Sequence, residues 1–212
     1  MTDFPPSLLD GYRRFKAGRH AREHALYRSL AEHGQTPEVM MIACCDSRSA
    51  PDTIFNAAPG EIFVVRNVAN LVPPCEPDSA YHGTSSALEY AVQSLRVRHI
   101  VVLGHGGCGG IRAVLEPSAK PLSPDDFVGR WTSLLQPCVD EVTVRGQLSG
   151  IELQTTLERA AVRHSVANLR TFPFVADLED SHRLLLHGAW FDIAEGELWT
   201  LNEATGEFAM AA

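Results

Sequence analysis

Cys44, Asp46 and Arg48 stand in one short segment, IACCDSR, and His105 and Cys108 in another, GHGGCGG. In the second segment an imidazole and a thiol share a glycine-rich turn. A compact turn at that spacing aims a ring nitrogen and a sulfur at one point, and the neighbouring glycines leave room for an ion. Two ligands do not complete a zinc site. A third is expected from another strand end, and Cys44 supplies it. Two thiolates and one imidazole suit zinc, and a catalytic zinc takes three protein ligands with a fourth position left for water. The pKa of water held there falls from about 15.7 toward about 7, making zinc-bound hydroxide available near neutral pH. Asp46 and Arg48 add a dyad. A planar guanidinium can grip a carboxylate through two bonds, hold it ionised and keep it off the metal, free to accept a hydrogen bond from the water.

These residues need strand ends to carry them. Ile100 to Leu103 is an apolar run of strand type buried on both faces; it breaks at Gly104, and Ile111, Val114 and Leu115 resume at helical spacing. Val39 to Ala43 is a second such run, placed just before Cys44, and Ile62 to Val65 a third, read as buried, with Arg66 and Asn67 leaving it. Pro51 opens a short helix through Ile54 and Phe55. Leu88, Ala91, Val92 and Leu95 mark one face of a helix between Gly83 and Leu95. Residues 126 to 145 and 151 to 169 read as helices, and PSAKPLSPDD after Glu116 as a loop. Leu184 to Ile193 and Glu197 to Leu201 form an edge hairpin around Ala194-Glu195-Gly196.

The expected fold is α/β: an open, mainly parallel sheet flanked by helices, with right-handed crossovers and ligands beyond the carboxyl ends of the strands. At the N-terminus, Ser7 to Asp10 resembles a capping box ahead of a helix carrying Leu8, Tyr12 and Phe15, and a second helix runs from His20 to His33 and stops at Gly34. This helical arm precedes the sheet, and its apolar faces dock elsewhere, a partner subunit being one such place. A single domain of 212 residues is expected, with residues 1–34 as the arm, 35–115 as the zinc-site core and 116–212 as helices and C-terminal edge strands.

Composition narrows the function. A hydrophobic fraction of 45% supports a sizeable core, and a net charge of -8 argues against nucleic acid or an anionic membrane as partner. No apolar run reaches the roughly 18 residues of a membrane span, and the first residues lack a signal-peptide core. A cytoplasmic protein is expected. Five cysteines, an odd number, favour free thiols and metal ligands over a disulfide framework. Cys45, beside a ligand in an extended chain, points to the opposite side and packs in the core; Cys75 and Cys138 are free thiols.

CCDSR, GEIFVVRNVANLVPP, GTSSALEY and GHGGCGG together resemble the beta-class carbonic anhydrases, over nearly all of residues 35 to 115. The resemblance implies zinc-dependent, reversible hydration of carbon dioxide to bicarbonate and a proton, with one zinc per chain on Cys44, His105 and Cys108 and with Asp46-Arg48 beside it. It implies self-association as a dimer or higher even oligomer. The match is closest to the plant-like, type I branch. By that resemblance Gln35, Phe63, Val68 and Tyr90 line a carbon dioxide pocket shared with a partner subunit, with a Gly106 backbone amide near the substrate. Another branch is inhibited by bicarbonate at a Trp-Arg-Tyr triad; here Met41 and Phe191 stand near the Trp and Tyr positions and only Arg66 remains. No such inhibitory site is expected.

Three other readings stay open on the residues alone. The same zinc hydroxide could hydrolyse carbonyl sulfide or carbon disulfide. Gly104 to Gly109 satisfies G-x-G-x-x-G between a strand and a helix, as in a dinucleotide-binding module, which then needs an acidic strand end such as Asp125 or Asp126. A purely structural zinc site would be closed by a fourth ligand, Asp46 or Cys45.

Overall fold

In the computed structural model, which describes residues 4–77, 81–116, 120–144 and 148–211, six strands form one sheet. Strands β1 (Val39–Cys44), β2 (Ile62–Asn67), β3 (His99–His105) and β4 (Leu185–Asp192) run parallel. Strands β5 (Glu197–Asn202) and β6 (Glu207–Met210) continue it antiparallel, in the order β2-β1-β3-β4-β5-β6. The chain leaves β1 on one side to form β2, then returns on the other side to form β3. The order therefore reverses between β1 and β3, which is where a parallel sheet opens a crevice at its carboxyl edge. Register pairs Ala43 with Leu103, so Cys44 and His105 end adjacent strands at that crevice.

Helix α9 (Gly150–Leu169) covers one face of the sheet; its Val162, Val166 and Leu169 pack with Met40, Ile42, Ile100 and Val102. The approach is close because β3 and β4 present Gly104 and Gly188 at the contact. A Cβ on Gly104 would lie 2.6 Å from one methyl of Val162, and a Cβ on Gly188 2.9 Å from the other. Gly104→Ala is expected to cost about 1–3 kcal/mol, the usual penalty for overfilling a packed core. Urea unfolding reads it. Combining Gly104→Ala with Val162→Ala should lose less than the two single losses added together. Strict additivity would show that the valine socket is not the cause.

The opposite face is more open: Met41, Ala43, Leu103 and Ala189 are buried, but Val39, Val64, Val101, Phe191 and Leu198 are only half-covered. The arm comprises α1 (Pro6–Ala17), α2 (Arg19–Arg22) and α3 (His24–His33), none of which has a buried residue. Leu8, Leu9, Tyr12 and Leu26 face solvent. It touches the sheet domain where Arg19 donates to the Ala57 carbonyl at 3.0 Å and where Leu30 lies against Gly60.

Several boundaries differ from the sequence reading. The expected capping box is absent: α1 starts at Pro6, with Pro5 at the cap and no side-chain cap bond, because a proline with preset φ starts the helix ahead of Ser7. The helix expected over residues 20–33 breaks at Glu23. Strand β2 runs on to Asn67 and is an edge strand, half-buried throughout rather than buried. Its apolar run encodes two apolar faces but not the lack of a second neighbour. The helix expected from Gly83 to Leu95 is α5 (Gly83–Glu89) followed by a wide π turn, Tyr90–Leu95, ending at left-handed Arg96. The segment from 126 to 145 divides into α7 (Phe127–Thr132), a 3-10 turn and α8 (Gln136–Val144), and its last residue, like residues 117–119 of the expected loop, lies outside the described residues. Helices α4 (Pro51–Ile54) and α6 (Gly109–Leu115) fall where expected, while α10 (Pro173–Asp180) and β6 are additions to the sequence reading.

Candidate metal centre

The two strand ends bring Cys44, His105 and Cys108 together, with ligand atoms all within 4.8 Å of one another and all three side chains buried. Cys44 ends β1. His105 ends β3, and the chain then turns through Gly107, whose φ of +67° suits only glycine without strain, to bring Cys108 back as the N-cap of α6. The sulfurs of Cys44 and Cys108 are 3.9 Å apart.

The donor set fits zinc on two observations. His105 Nδ1 lies 3.0 Å from the Gly106 carbonyl, which can only accept, so the proton of the neutral ring sits on Nδ1. Nε2 is left with its lone pair, buried and without a hydrogen-bond partner. The second observation is electrostatic. The Cys44 thiol is pulled well below its ordinary value, chiefly by the hydrogen bond from Cys108, while Cys108 is pushed far up by the same bond and by burial. Two buried thiolates this close repel unless a cation lies between them. A divalent ion removes that conflict and gives Nε2 its partner, with the His105 ring already oriented by Gly106.

Asp46 and Arg48 flank the centre. Arg48 donates from Nε to Oδ1 at 2.9 Å and from Nη2 to Oδ2 at 2.7 Å, its main-chain N–H adds a bond to Oδ1 at 3.0 Å, and Nη2 also reaches the Gly107 carbonyl at 3.2 Å. Those bonds hold the Asp46 carboxyl far below the usual carboxylate range. Its Oδ2 is 4.0 Å from His105 Nε2. Arg66 braces the turn behind, donating to the carbonyls of Cys44 at 2.8 Å and Asp46 at 2.6 Å. Cys45 is exposed, contrary to the core packing expected of it, because its N–H still pairs with the Asn67 carbonyl while the chain turns out of the sheet.

The remaining residues expected at the site are more dispersed within one chain. Phe63 and Tyr90 pack together, ring centroids 5.8 Å apart, on the β2 side. Val68 is partly exposed and abuts Gly110, just past the ligand turn, with its carbonyl held by Trp131 Nε1 at 2.8 Å. Gln35 is exposed. Gly106 lies beside the centre, but its N–H donates to the Phe191 carbonyl at 2.9 Å, continuing the β3–β4 ladder. The expected role of that amide as a substrate donor is corrected accordingly. Beside Arg48 and Gly106 a cleft of about 460 Å³ runs to Trp190 and Ile151.

The dinucleotide reading is overturned by the same geometry. The glycine turn closes around buried His105 and Cys108, and Asp126 caps α7 through a 3.2 Å bond to the Gly129 N–H instead of ending a strand. Sequence reasoning missed Glu158, which is 2% exposed behind the ligand turn. Its signal was available: a glutamate on the face of α9 shared with Ala161 and Val162 intrudes on apolar positions.

A sequence profile of the family described as carbonic anhydrase matches residues 39–198. The chain is 35% identical to beta carbonic anhydrase 3 of Arabidopsis thaliana over 210 residues, 96% of this chain and 80% of that one. Among solved structures, it resembles the beta-carbonic anhydrase CcaA with a TM-score of 0.88 and 28% identity, covering 98% of this chain and 92% of that one. One of two tetrameric beta-carbonic anhydrases from Sordaria macrospora gives 0.80 at 27% identity, covering 97% and 98%.

Proposed function

Since this chain belongs to the beta-class carbonic anhydrases, we propose that Cys44, His105 and Cys108 hold its zinc and that Asp46, fixed by Arg48, orients the attacking water. The reaction is the zinc-dependent, reversible hydration of carbon dioxide to bicarbonate and a proton. Zinc in the site supplies Lewis acidity that makes water nucleophilic near neutral pH. The chain's own residues supply the rest. With both carboxylate oxygens engaged by Arg48, Asp46 is kept ionised, and the free lone pair of Oδ2 accepts an O–H bond and aims the oxygen at the substrate. Because its pKa is depressed, Asp46 contributes stability at every pH above the ordinary carboxylate value. That stability is lost only in strong acid. An activity change near neutrality therefore does not report this carboxylate.

Carbon dioxide is small and apolar, and we place it against Val68, Phe63 and Tyr90 with Gln35 as the polar neighbour. Val68 and Tyr90 are exposed in the single chain, which supports a pocket wall completed by a second copy. The bare apolar face of the arm and the half-covered sheet face support the same reading, a homo-oligomer built from dimers. All five cysteines are free, which suits a reducing compartment, and the cytoplasm is the location proposed. No helix among the described residues is long and apolar enough to cross a membrane.

The observation that carries the functional reading is the convergence of two sulfurs and an unpartnered imidazole nitrogen beside an arginine-locked carboxylate. Metal analysis paired with stopped-flow hydration tests it. About one zinc per chain and rapid proton release are expected. Metal without hydration would overturn the reading. A crystal structure with Asp46 on the metal, together with a collapse of activity as the pH falls through the mildly alkaline range, would overturn the role given to the dyad.

A further inference from the structure

We propose that Glu158 is a positioning residue for the metal centre, acting through the Cys108 main-chain N–H, with Gln154 on the Cys108 carbonyl, rather than on the substrate. The inference rests on the reading of Cys108 as a zinc ligand. Glu158 Oε1 accepts the Cys108 N–H at 2.9 Å and the Gln154 side chain at 2.9 Å, while Oε2 accepts Trp190 Nε1 at 3.1 Å. Gln154 Nε2 also reaches the Cys108 carbonyl at 3.3 Å. Residues one turn apart on α9 thus grip the amide and the carbonyl of a single ligand residue.

Burying a carboxylate is unfavourable unless its oxygens are bonded, and here they are bonded to the ligand turn and its backing. Trp190 is that backing. Its ring sits 3.2 Å from where a Cβ on Gly106 would be, and the Arg159 guanidinium stacks 4.6 Å from its centroid on the way to Trp199. The turn between His105 and Cys108 is therefore held from β4 and α9 together. The Cys108 sulfur faces the centre, and the clamp on its main chain adds to the start of α6 in setting where that sulfur points.

The test compares zinc-loaded wild type with Glu158→Gln. An amide can accept from only one side, so the substituted side chain must set a donor against either Cys108 N–H or Trp190 Nε1–H. Zinc release to an excess of chelator should accelerate by about 10- to 100-fold, the usual effect of losing an outer partner of a metal ligand. The thiolate-to-metal absorption of the cobalt-substituted protein should shift as well. Adding Trp190→Phe removes the competing donor, so Glu158→Gln/Trp190→Phe should hold zinc longer than Glu158→Gln alone. Gln154→Ala, at a half-exposed position, should move both readouts in the same direction and serves if Glu158→Gln does not fold. Val162→Ala, which loosens the same helix without touching Cys108, should lower stability and leave the cobalt spectrum unchanged. Wild-type release and spectra in Glu158→Gln, or a double variant no slower than the single one, would overturn the clamp. A protein that holds zinc but does not hydrate carbon dioxide refutes the catalytic reading instead, and its release rates still decide on Glu158.

Discussion

Cys44→Ser is expected to leave purification with little or no zinc and to hydrate carbon dioxide no faster than buffer. A serine hydroxyl at this position is a hard and weakly acidic donor where zinc takes thiolate, and the site is too buried for water to substitute freely. The loss is larger than the removal of one bond suggests. In the wild type the two sulfurs share one contact at 3.9 Å, so removing the Cys44 sulfur also leaves Cys108 without the partner it is placed to share an ion with. Since apparent binding energies of sulfur-rich zinc sites reach about 10–16 kcal/mol, losing one thiolate can take the affinity below the range in which the metal survives dialysis. Elemental analysis and stopped-flow assays on one preparation give the result. Cys45→Ser is the control: its side chain is exposed and outside the ligand group, and it should keep both metal and rate. Zinc retained at one per chain in Cys44→Ser would remove that residue from the ligand set.

The second large effect separates metal from turnover. Asp46→Asn should bind zinc as the wild type does and lose roughly 100-fold or more in kcat, within the range for a positioned acid–base group. Asparagine turns an N–H₂ toward one side of the Arg48 fork, where two donors then face each other, so the residue loses both its charge and its anchor. What remains can no longer fix the proton of the attacking water. A fall in kcat without a matching rise in KM is the expected pattern, because in the proposed mechanism the carboxylate orients the nucleophile and does not hold carbon dioxide. An Asp46→Asn enzyme with wild-type kcat would leave the dyad as an ordinary surface ion pair.

Much of this was legible from residue order. Apolar runs ending in Cys44 and Gly104-His105 located the two strand ends, and a parallel sheet with its crevice at a reversal of strand order makes their convergence a geometric consequence. Asp46 and Arg48 are two residues apart, so their bidentate pairing is local and follows from the segment itself. The parts that were not legible depend on what packs behind or beside an element. The edge position of β2 is a property of its neighbours, and Ile62 to Val65 would look the same in the middle of a sheet. The Gly106 amide was expected to face substrate, but whether a backbone N–H is free depends on the strand opposite, and Phe191 takes it. Glu158 lies fifty residues beyond the cysteine it bonds, so only its intrusion on apolar helical positions could have pointed to it.

The arm makes a different kind of demand on the molecule. Three helices without one buried residue add little to the stability of an isolated chain beyond the contacts of Arg19 and Leu30 with the sheet domain. In the homo-oligomer proposed above, mass action would govern the order of this arm: dilution would erode it, a higher concentration of like copies would restore it, and the number of molecules present would set how much of the completed pocket exists.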